Sequence, residues 1–266
     1  MSTPLRPIKR LGQNFLRDPN IARKIVDAVP APPDARVVEI GPGTGALTGL
    51  LSRKYPDLIA IDVDERAIGL LREQIPGVDV RHADVLEIDW QAIAAEREDE
   101  GLLHVVGNLP YYITSQILFS LLDAREVITS AVVMMQLEVA ERIVAPSGSR
   151  TYGILSVILQ HYAEIALLFR VSPNVFYPRP DVTSAVVRID FMREEARPVP
   201  FDLFREVVRT AVNQRRKTLR NSLSELMVRH GTELPDRWSG RRAEELSPDD
   251  FVELTHMIAS GGSTRA

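Results

Sequence analysis

The 266-residue chain contains no cysteine. A disulfide framework, a thiolate metal site, an iron–sulfur cluster and a cysteine nucleophile are all excluded by that absence. Aromatic residues make up only 6% of the chain, and there are five histidines. Apolar runs stop at about strand length, far short of the ~20 residues a membrane-spanning helix needs. The N-terminus, MSTPLRPIKRLGQNF, has basic residues but no apolar stretch behind them, so it does not read as a secretory signal. What remains is a cytoplasmic globular protein with no metal expected, long enough for one large α/β domain and a small appendage.

Net charge is −4, which argues against a polyanionic partner only on average. Residues 1–24 hold Arg6, Lys9, Arg10, Arg17, Arg23 and Lys24 against the single acid Asp18. Residues 203–220 hold Arg205, Arg209, Arg215, Arg216, Lys217 and Arg220 against Glu206 alone. Between them, residues 62–100 carry twelve acids and four arginines. Two basic islands on an acidic body suit a protein that meets a polyanion on one face.

From Arg36 onward strand-like and helix-like segments alternate, the pattern of a parallel sheet with crossover helices. Strands are expected at 36–40, 58–63, 78–84, 102–108 and 130–136, with helices at 46–54, 65–75 and 115–124. Two late strands, 164–172 and 183–191, are separated by the proline-rich loop SPNVFYPRPDV and should lie side by side at a sheet edge. A seven-stranded sheet of this kind is the shape of class I methyltransferases, a Rossmann-like α/β fold. Past Met192 the composition changes. REEARPVP reads as a linker, and the remainder is helical, with Ser247-Pro248-Asp249-Asp250 as a helix start. The expected domains are a catalytic one over 1–197 and a small all-helical one over 198–266, with a disordered tail SGGSTRA.

Val38-Glu39-Ile40-Gly41-Pro42-Gly43-Thr44-Gly45 stands where a strand meets a helix. Glycines there let the backbone turn sharply and approach a ligand closely. Asp62 follows twenty-one residues after Gly41, placed to accept hydrogen bonds from two ribose hydroxyls. Together they read as a site for an adenosine cofactor. Three details favour S-adenosylmethionine over a nicotinamide dinucleotide. The spacing is G-x-G-x-G, with Pro42 in place of an amide that a pyrophosphate would use. Glu39 suits a methionine ammonium or its waters, and Asp84 ends the third strand, where it can accept from an adenine amino group.

After the fourth strand comes Asn108-Leu109-Pro110-Tyr111. The exocyclic amine of adenine is a poor nucleophile because its lone pair is delocalised into the ring. Hydrogen bonds accepted by the Asn108 side-chain oxygen and the Leu109 carbonyl would draw the nitrogen toward tetrahedral geometry. Pro110 stiffens the segment, and Tyr111 offers a face for a base swung out of its stack. Phe176 and Tyr177 lie between prolines that hold the backbone extended, where an aromatic can close the other side of the base.

Taken together, KRLGQNFL (9–16), EIGPGTGALT (39–48), GNLPYYITS (107–115), SRTYGILSV (149–157), VFYPRPDVTSAVVR (175–188), NQRRKTLRNSL (213–223) and EELSPDDFVEL (244–254) resemble the ribosomal RNA adenine dimethylase family. The resemblance implies transfer of four methyl groups from S-adenosylmethionine to N6 of two adjacent adenosines. These lie in the 3′-terminal hairpin loop of small-subunit (16S) ribosomal RNA, and the family takes part in small-subunit biogenesis. By the family's pattern Asn14, Leu16, Gly41, Gly43, Asp62, Asp84, Val85 and Asn108 line the cofactor pocket. Asn108, Leu109, Pro110 and Tyr111 hold the target amine, and Phe176 stacks on the base. Lys9, Arg10 and a basic helix with Arg215, Arg216, Lys217 and Arg220 meet RNA phosphates. Tyr112 stands where many relatives carry Asn, and Asp62 where many carry Glu.

Four rivals are weaker. A large-subunit dimethylase of the macrolide-resistance type shares QNFL and N-x-P-Y, but the C-terminal NQRRKTLRNSL and EELSPDDF favour the small subunit. A non-catalytic assembly factor would be expected to lack Asn108 or the glycines. A DNA adenine methyltransferase would carry Pro-Pro-Tyr and a separate sequence-reading domain. For a nicotinamide dehydrogenase, the pyrophosphate site and the proton relay are both missing. A monomer is expected, since a ribosome-sized substrate already supplies a partner surface.

Overall fold

The computed structural model describes residues 5–97, 102–192 and 198–261. Most of the expected linker and the last five residues of the expected disordered tail lie outside them. The chain forms two compact units, Met1–Ala140 with Glu164–Arg193, and Glu141–Ala163 with Glu194–Ala266. The second is discontinuous in sequence and takes in 141–163, which a boundary at 197/198 leaves with the first domain.

The first unit begins with a short turn over Lys9–Leu11, closed by Gly12 at φ +58°. Strand β1 (Phe15–Leu16) and helix α1 (Pro19–Asp27) follow. Asp18 starts α1: its carboxylate accepts the amides of Asn20 and Ile21 at 2.8 and 3.2 Å, and Pro19 takes a position whose N–H has no helical partner anyway. From Arg36 the alternation runs β2 (Arg36–Ile40), α2 (Thr48–Lys54), β3 (Leu58–Asp62) and α3 (Glu65–Gln74). It continues with β4 (Asp79–His82), α4 (Trp90–Ala95), β5 (Leu103–Asn108), α5 (Thr114–Asp123) and β6 (Ile128–Gln136). After α6 (Leu137–Ile143) and α7 (Ile154–Tyr162) come β7 (Ala163–Val171), β8 (Phe176–Tyr177) and β9 (Ser184–Phe191).

Seven strands form one sheet in the order β4-β3-β2-β5-β6-β9-β7. Its first five members pair in parallel, and β9 runs antiparallel to β6. Strands β2 and β3 are buried along their full length, and β5 up to Asn108. That is why they read as near-continuous apolar runs rather than alternating ones. The connections after β2 and β5 leave on opposite sides, so a crevice opens beyond the carboxyl ends of those neighbours. Gly107 stands opposite Ile40 there, and a Cβ on it would lie 2.6 Å from the Ile40 carbonyl oxygen. Only glycine lets these two strand ends close. A separate two-residue ladder, Phe15 opposite Tyr177 and Leu16 opposite Phe176, joins β1 to β8.

In the second unit, α7 packs with α8 (Phe201–Asn213) through Tyr162, whose ring meets Phe201 and Phe204 edge-on at 5.5 and 6.1 Å. Three short helices, α9 (Leu219–Ser222), α10 (Ser224–His230) and α11 (Asp236–Ser239), precede α12 (Pro248–Gly261). Ser247 and Asp250 cap α12 reciprocally: Asp250 N donates to Ser247 Oγ at 3.1 Å, and Ser247 N to Asp250 Oδ2 at 3.0 Å. The basic helix expected around Arg215 is instead a turn. Helix α8 stops at Asn213, Lys217 N donates to the Gln214 carbonyl at 2.7 Å, and only Arg220 of the four cations is helical, in α9. Among the described residues no helix is long and apolar enough to cross a membrane.

Candidate active site

Beyond Ile40 the backbone turns through Gly41, Gly43 and Gly45 at φ +65°, +54° and +83°. Such left-handed conformations cost a side-chain-bearing residue about 1–2 kcal/mol. At Gly43 space is also short, because a Cβ would come within 2.9 Å of the Phe15 ring. The turn is tied to the end of β3 by Asp62, whose Oδ2 accepts Gly43 N at 3.2 Å while Oδ1 accepts Asp64 N at 2.9 Å. Burial raises the Asp62 pKa against the opposing pull of these amide bonds. A carboxylate held this way is a strong hydrogen-bond acceptor.

A cavity of about 250 Å3 lies over these strand ends. Gly41, Gly43 and Asp62 form part of its wall, and Asp84, Val85 and Leu86 form another part beyond β4. Asp84 Oδ1 accepts Leu86 N at 2.9 Å, which fixes that acid beside two apolar side chains. The N-terminal segment from Leu11 to Phe15 and the loop from Asn108 to Ile113 complete the enclosure. Of the eight cofactor residues named from sequence, seven line this cavity: Asn14, Gly41, Gly43, Asp62, Asp84, Val85 and Asn108.

The loop after β5 is anchored at each step. Leu109 N donates to the Met134 carbonyl at 2.9 Å, Thr114 Oγ1 to the Pro110 carbonyl at 3.0 Å, and the Tyr111 hydroxyl lies 2.7 Å from Ser184 Oγ at the start of β9. Burial raises the Tyr111 pKa, so its hydroxyl stays protonated. Asn108 Nδ2 donates to the Asn14 carbonyl at 2.8 Å. With its nitrogen engaged, the amide leaves Oδ1 as an acceptor. Neither that oxygen nor the Leu109 carbonyl receives a hydrogen bond from the described residues. Two neighbouring residues of the cavity wall therefore each carry an acceptor without a donor among the described residues.

Leu16 and Phe176 are not brought to the cavity wall. They face each other across the β1–β8 ladder and are buried in the core, each 5% exposed. Their partners on the other face of the ladder, Phe15 and Tyr177, line cavities instead. Glu39 also differs from its expected place. It sits within β2, 1% exposed and outside the cavity wall, with Oε2 unpartnered. Burial pushes its pKa up to about 8, with Thr48 pulling the other way, so near neutrality the group is a neutral acid rather than a partner for an ammonium.

Sequence reasoning missed Gln13. Its Nε2 donates to Asp64 Oδ2 at 2.8 Å, and its Oε1 accepts Ile8 N at 2.8 Å. Asp64 in turn pairs with Arg66 at 2.7 Å, which with the Gln13 bond holds that carboxyl down at about 2. The side chain thus straps the N-terminal segment to the β3–α3 turn. No local signal announces a bond across 51 residues.

Among the basic residues, Lys9 and Arg10 are exposed on the first unit, and Arg216, Lys217 and Arg220 on the second. Arg215 is occupied. Its Nε meets Glu244 Oε2 at 2.6 Å, and its other nitrogens donate to the Arg150 and Ser149 carbonyls at 2.8 and 3.1 Å.

Residues 6–260 match the family model described as ribosomal RNA adenine dimethylase. A protein of Salinibacter ruber named ribosomal RNA small subunit methyltransferase A is 53% identical over 97% of this chain and 87% of its own length. One of the same name from Prosthecochloris aestuarii is 46% identical over 94% of this chain and 93% of its own. Among solved structures, a dimethyladenosine transferase from Plasmodium falciparum superposes with a TM-score of 0.78 at 24% identity, covering 93% of this chain and 98% of the other. The 23S rRNA methyltransferase ErmE superposes at 0.70, also at 24% identity, over 92% of this chain and 100% of the other. The two structures share the fold, and the family match and the close relatives settle membership: this chain belongs to the ribosomal RNA adenine dimethylase family.

Proposed function

We propose that this chain dimethylates N6 of two adjacent adenosines in the 3′-terminal hairpin loop of small-subunit ribosomal RNA, as a step in small-subunit biogenesis. The observation that carries the chemistry is the acceptor pair, Asn108 Oδ1 and the Leu109 carbonyl, carried by two neighbouring residues that line the glycine-turn cavity. The names of the relatives support the small subunit as substrate.

S-adenosylmethionine fits the residues present. Asp62 offers a buried carboxylate to a ribose diol, and Asp84, Val85 and Leu86 offer one acceptor and two apolar walls to an adenine. Gly41 and Gly43 leave room where a side chain would crowd the wall. When bound, the cofactor supplies an electrophilic methyl on a sulfonium.

The remaining work falls to the loop after β5. Asn108 Oδ1 and the Leu109 carbonyl accept the two N–H groups of the target amine and draw its lone pair out of the ring. Pro110 withholds an N–H that would compete for those acceptors. Tyr111, tethered to Ser184, presents a rigid ring on which the base stacks once it leaves its RNA stack. No strong base is needed, since the amine becomes acidic on methylation.

Incubation with methyl-labelled S-adenosylmethionine and undermethylated small subunits should label adenosine N6 with wild-type protein. Asn108→Ala should leave RNA and cofactor affinities in place and label far more slowly. Equal rates for the two proteins would refute the amine-polarising site.

A further inference from the structure

Tyr112 stands where many relatives carry Asn, is 59% exposed, and has no part in the chemistry proposed for the loop after β5. Its surroundings give it one. The ring lies against the main chain of Gly12: a Cβ on that glycine would stand 3.0 Å from Tyr112 Cδ1 and 3.4 Å from Cε1. Both residues line the cofactor cavity, Gly12 from the N-terminal segment and Tyr112 from the loop after β5.

Gly12 closes the turn Lys9–Leu11, with its N–H donating to the Lys9 carbonyl at 3.0 Å. Its own carbonyl accepts Asn14 Nδ2 at 3.1 Å. Asn14 in turn offers its main-chain carbonyl to Asn108 Nδ2 at 2.8 Å. An unbroken run of contacts therefore leads from the Tyr112 ring through Gly12 and Asn14 back to the Asn108 amide. The loop grips the N-terminal segment twice, with Asn108 on Asn14 and Tyr112 on Gly12. Gln13, between the two grip points, turns away and donates to Asp64 Oδ2 at 2.8 Å.

A single hydrogen bond leaves its two partners free to swing about it. A flat ring packed on the backbone two residues away removes that freedom, since dispersion contacts need no matching donor. The freedom matters because the terminal torsion of an Asn side chain is broad and close to two-fold. With the Asn14 carbonyl displaced, Asn108 can turn its nitrogen to where the target amine needs an oxygen. We propose that Tyr112 is a positioning residue, which by holding Gly12 keeps the Asn14 carbonyl against Asn108 Nδ2 and so keeps Oδ1 toward the target amine. The proposal rests on the amine-polarising reading of Asn108 above. Ring packing carries the role, so the hydroxyl is dispensable.

The test combines Tyr112→Ala and Tyr112→Phe with Asn108→Ala in a double-mutant cycle on the full-length protein. Single-turnover methyl transfer to undermethylated small subunits is read beside equilibrium binding of S-adenosylmethionine and of RNA, and hydrogen exchange follows the Gly12 amide. Tyr112→Ala should slow transfer about ten- to a hundredfold, the scale for a group displaced by about an ångström from its working position. Dissociation constants should change far less than the rate, and Tyr112→Phe should match wild type in every readout. In the Asn108→Ala background, Tyr112→Ala should slow transfer no further, because the group it positions is gone. Exchange at Gly12 should quicken in Tyr112→Ala alone of the two single variants. Rate losses that add across the two sites, or a Tyr112→Phe protein as slow as Tyr112→Ala, would overturn the assignment. A wild-type protein that transfers no methyl group would sink the proposed reaction, and the grip on Gly12 would then stand or fall on the exchange result.

Discussion

Asn108 Nδ2 donates to the main-chain carbonyl of Asn14 at 2.8 Å, joining residues 94 positions apart. A carbonyl oxygen can only accept, so the bond decides which end of the Asn108 amide faces it. The nitrogen is engaged by the N-terminal segment, and the oxygen is left as an acceptor. That segment therefore does more than enclose the cavity: it orients the amide that, in the proposed reaction, would accept from the target amine.

Replacing Asn108 by Ala should lower kcat by about 10²–10³, the usual loss for one polar group that acts in the transition state. RNA and cofactor dissociation constants should change little. Single-turnover methyl transfer beside equilibrium binding separates the two effects. A binding defect as large as the rate defect would move Asn108 from chemistry to anchoring.

Asp62→Asn should weaken S-adenosylmethionine binding about 10- to 100-fold, the range for losing a hydrogen bond to a charged acceptor. The wild-type carboxyl has its pKa raised by burial, so affinity should begin to fall at a higher pH than an ordinary aspartate would allow. Calorimetric titration of the cofactor from pH 7 downward reads both effects. An affinity independent of pH in wild type and unchanged in Asp62→Asn would remove Asp62 from the site.

Much of this arrangement is written locally. The glycine turn, the acid at the end of β3 and the Asn-Leu-Pro-Tyr loop each sit at a strand end, where residue type and spacing report the backbone directly. Strand bounds follow for the same reason, because β2, β3 and β5 are buried nearly end to end and mostly apolar. Other features rest on distant partners. Two-residue strands such as β1 and β8 have no periodicity to read and exist only through each other. Ladder pairing also settles which aromatic of the FY pair is buried, and it buries Phe176 and exposes Tyr177. Helices α6 and α7 lie within 137–162, a stretch in which the sequence reading named a motif but no element.

Glu39 gives a stability prediction. Its folded pKa of about 8 stands above its unfolded value of 4.5. A carboxyl raised on folding binds a proton that the unfolded chain has already lost. Its stabilising contribution is complete below the unfolded value and is lost as pH rises through the folded one. Wild-type Tm should therefore fall relative to that of Glu39→Gln between pH 5 and pH 8. A Tm difference that stays constant across that window would contradict a buried, neutral Glu39.

Arg215 and its neighbours should separate into two classes. Arg215→Ala removes the links to Glu244, Ser149 and Arg150 and should cost about 1 kcal/mol, a fall in Tm of roughly 2–4 °C. Arg216→Ser with Lys217→Ser should leave Tm unchanged, weaken RNA binding and lower its salt slope by about one per charge. Thermal melts and salt-dependent binding, run on the same preparations, distinguish the classes. A stable Arg215→Ala protein with a reduced salt slope would place Arg215 on the RNA instead.

The most direct test of the account supplies undermethylated small subunits, large subunits and double-stranded DNA in parallel with labelled S-adenosylmethionine, followed by digestion and identification of the modified nucleoside. The account predicts N6,N6-dimethyladenosine in small-subunit RNA and in no other substrate. Label in large-subunit RNA alone, or none in any substrate, would contradict it.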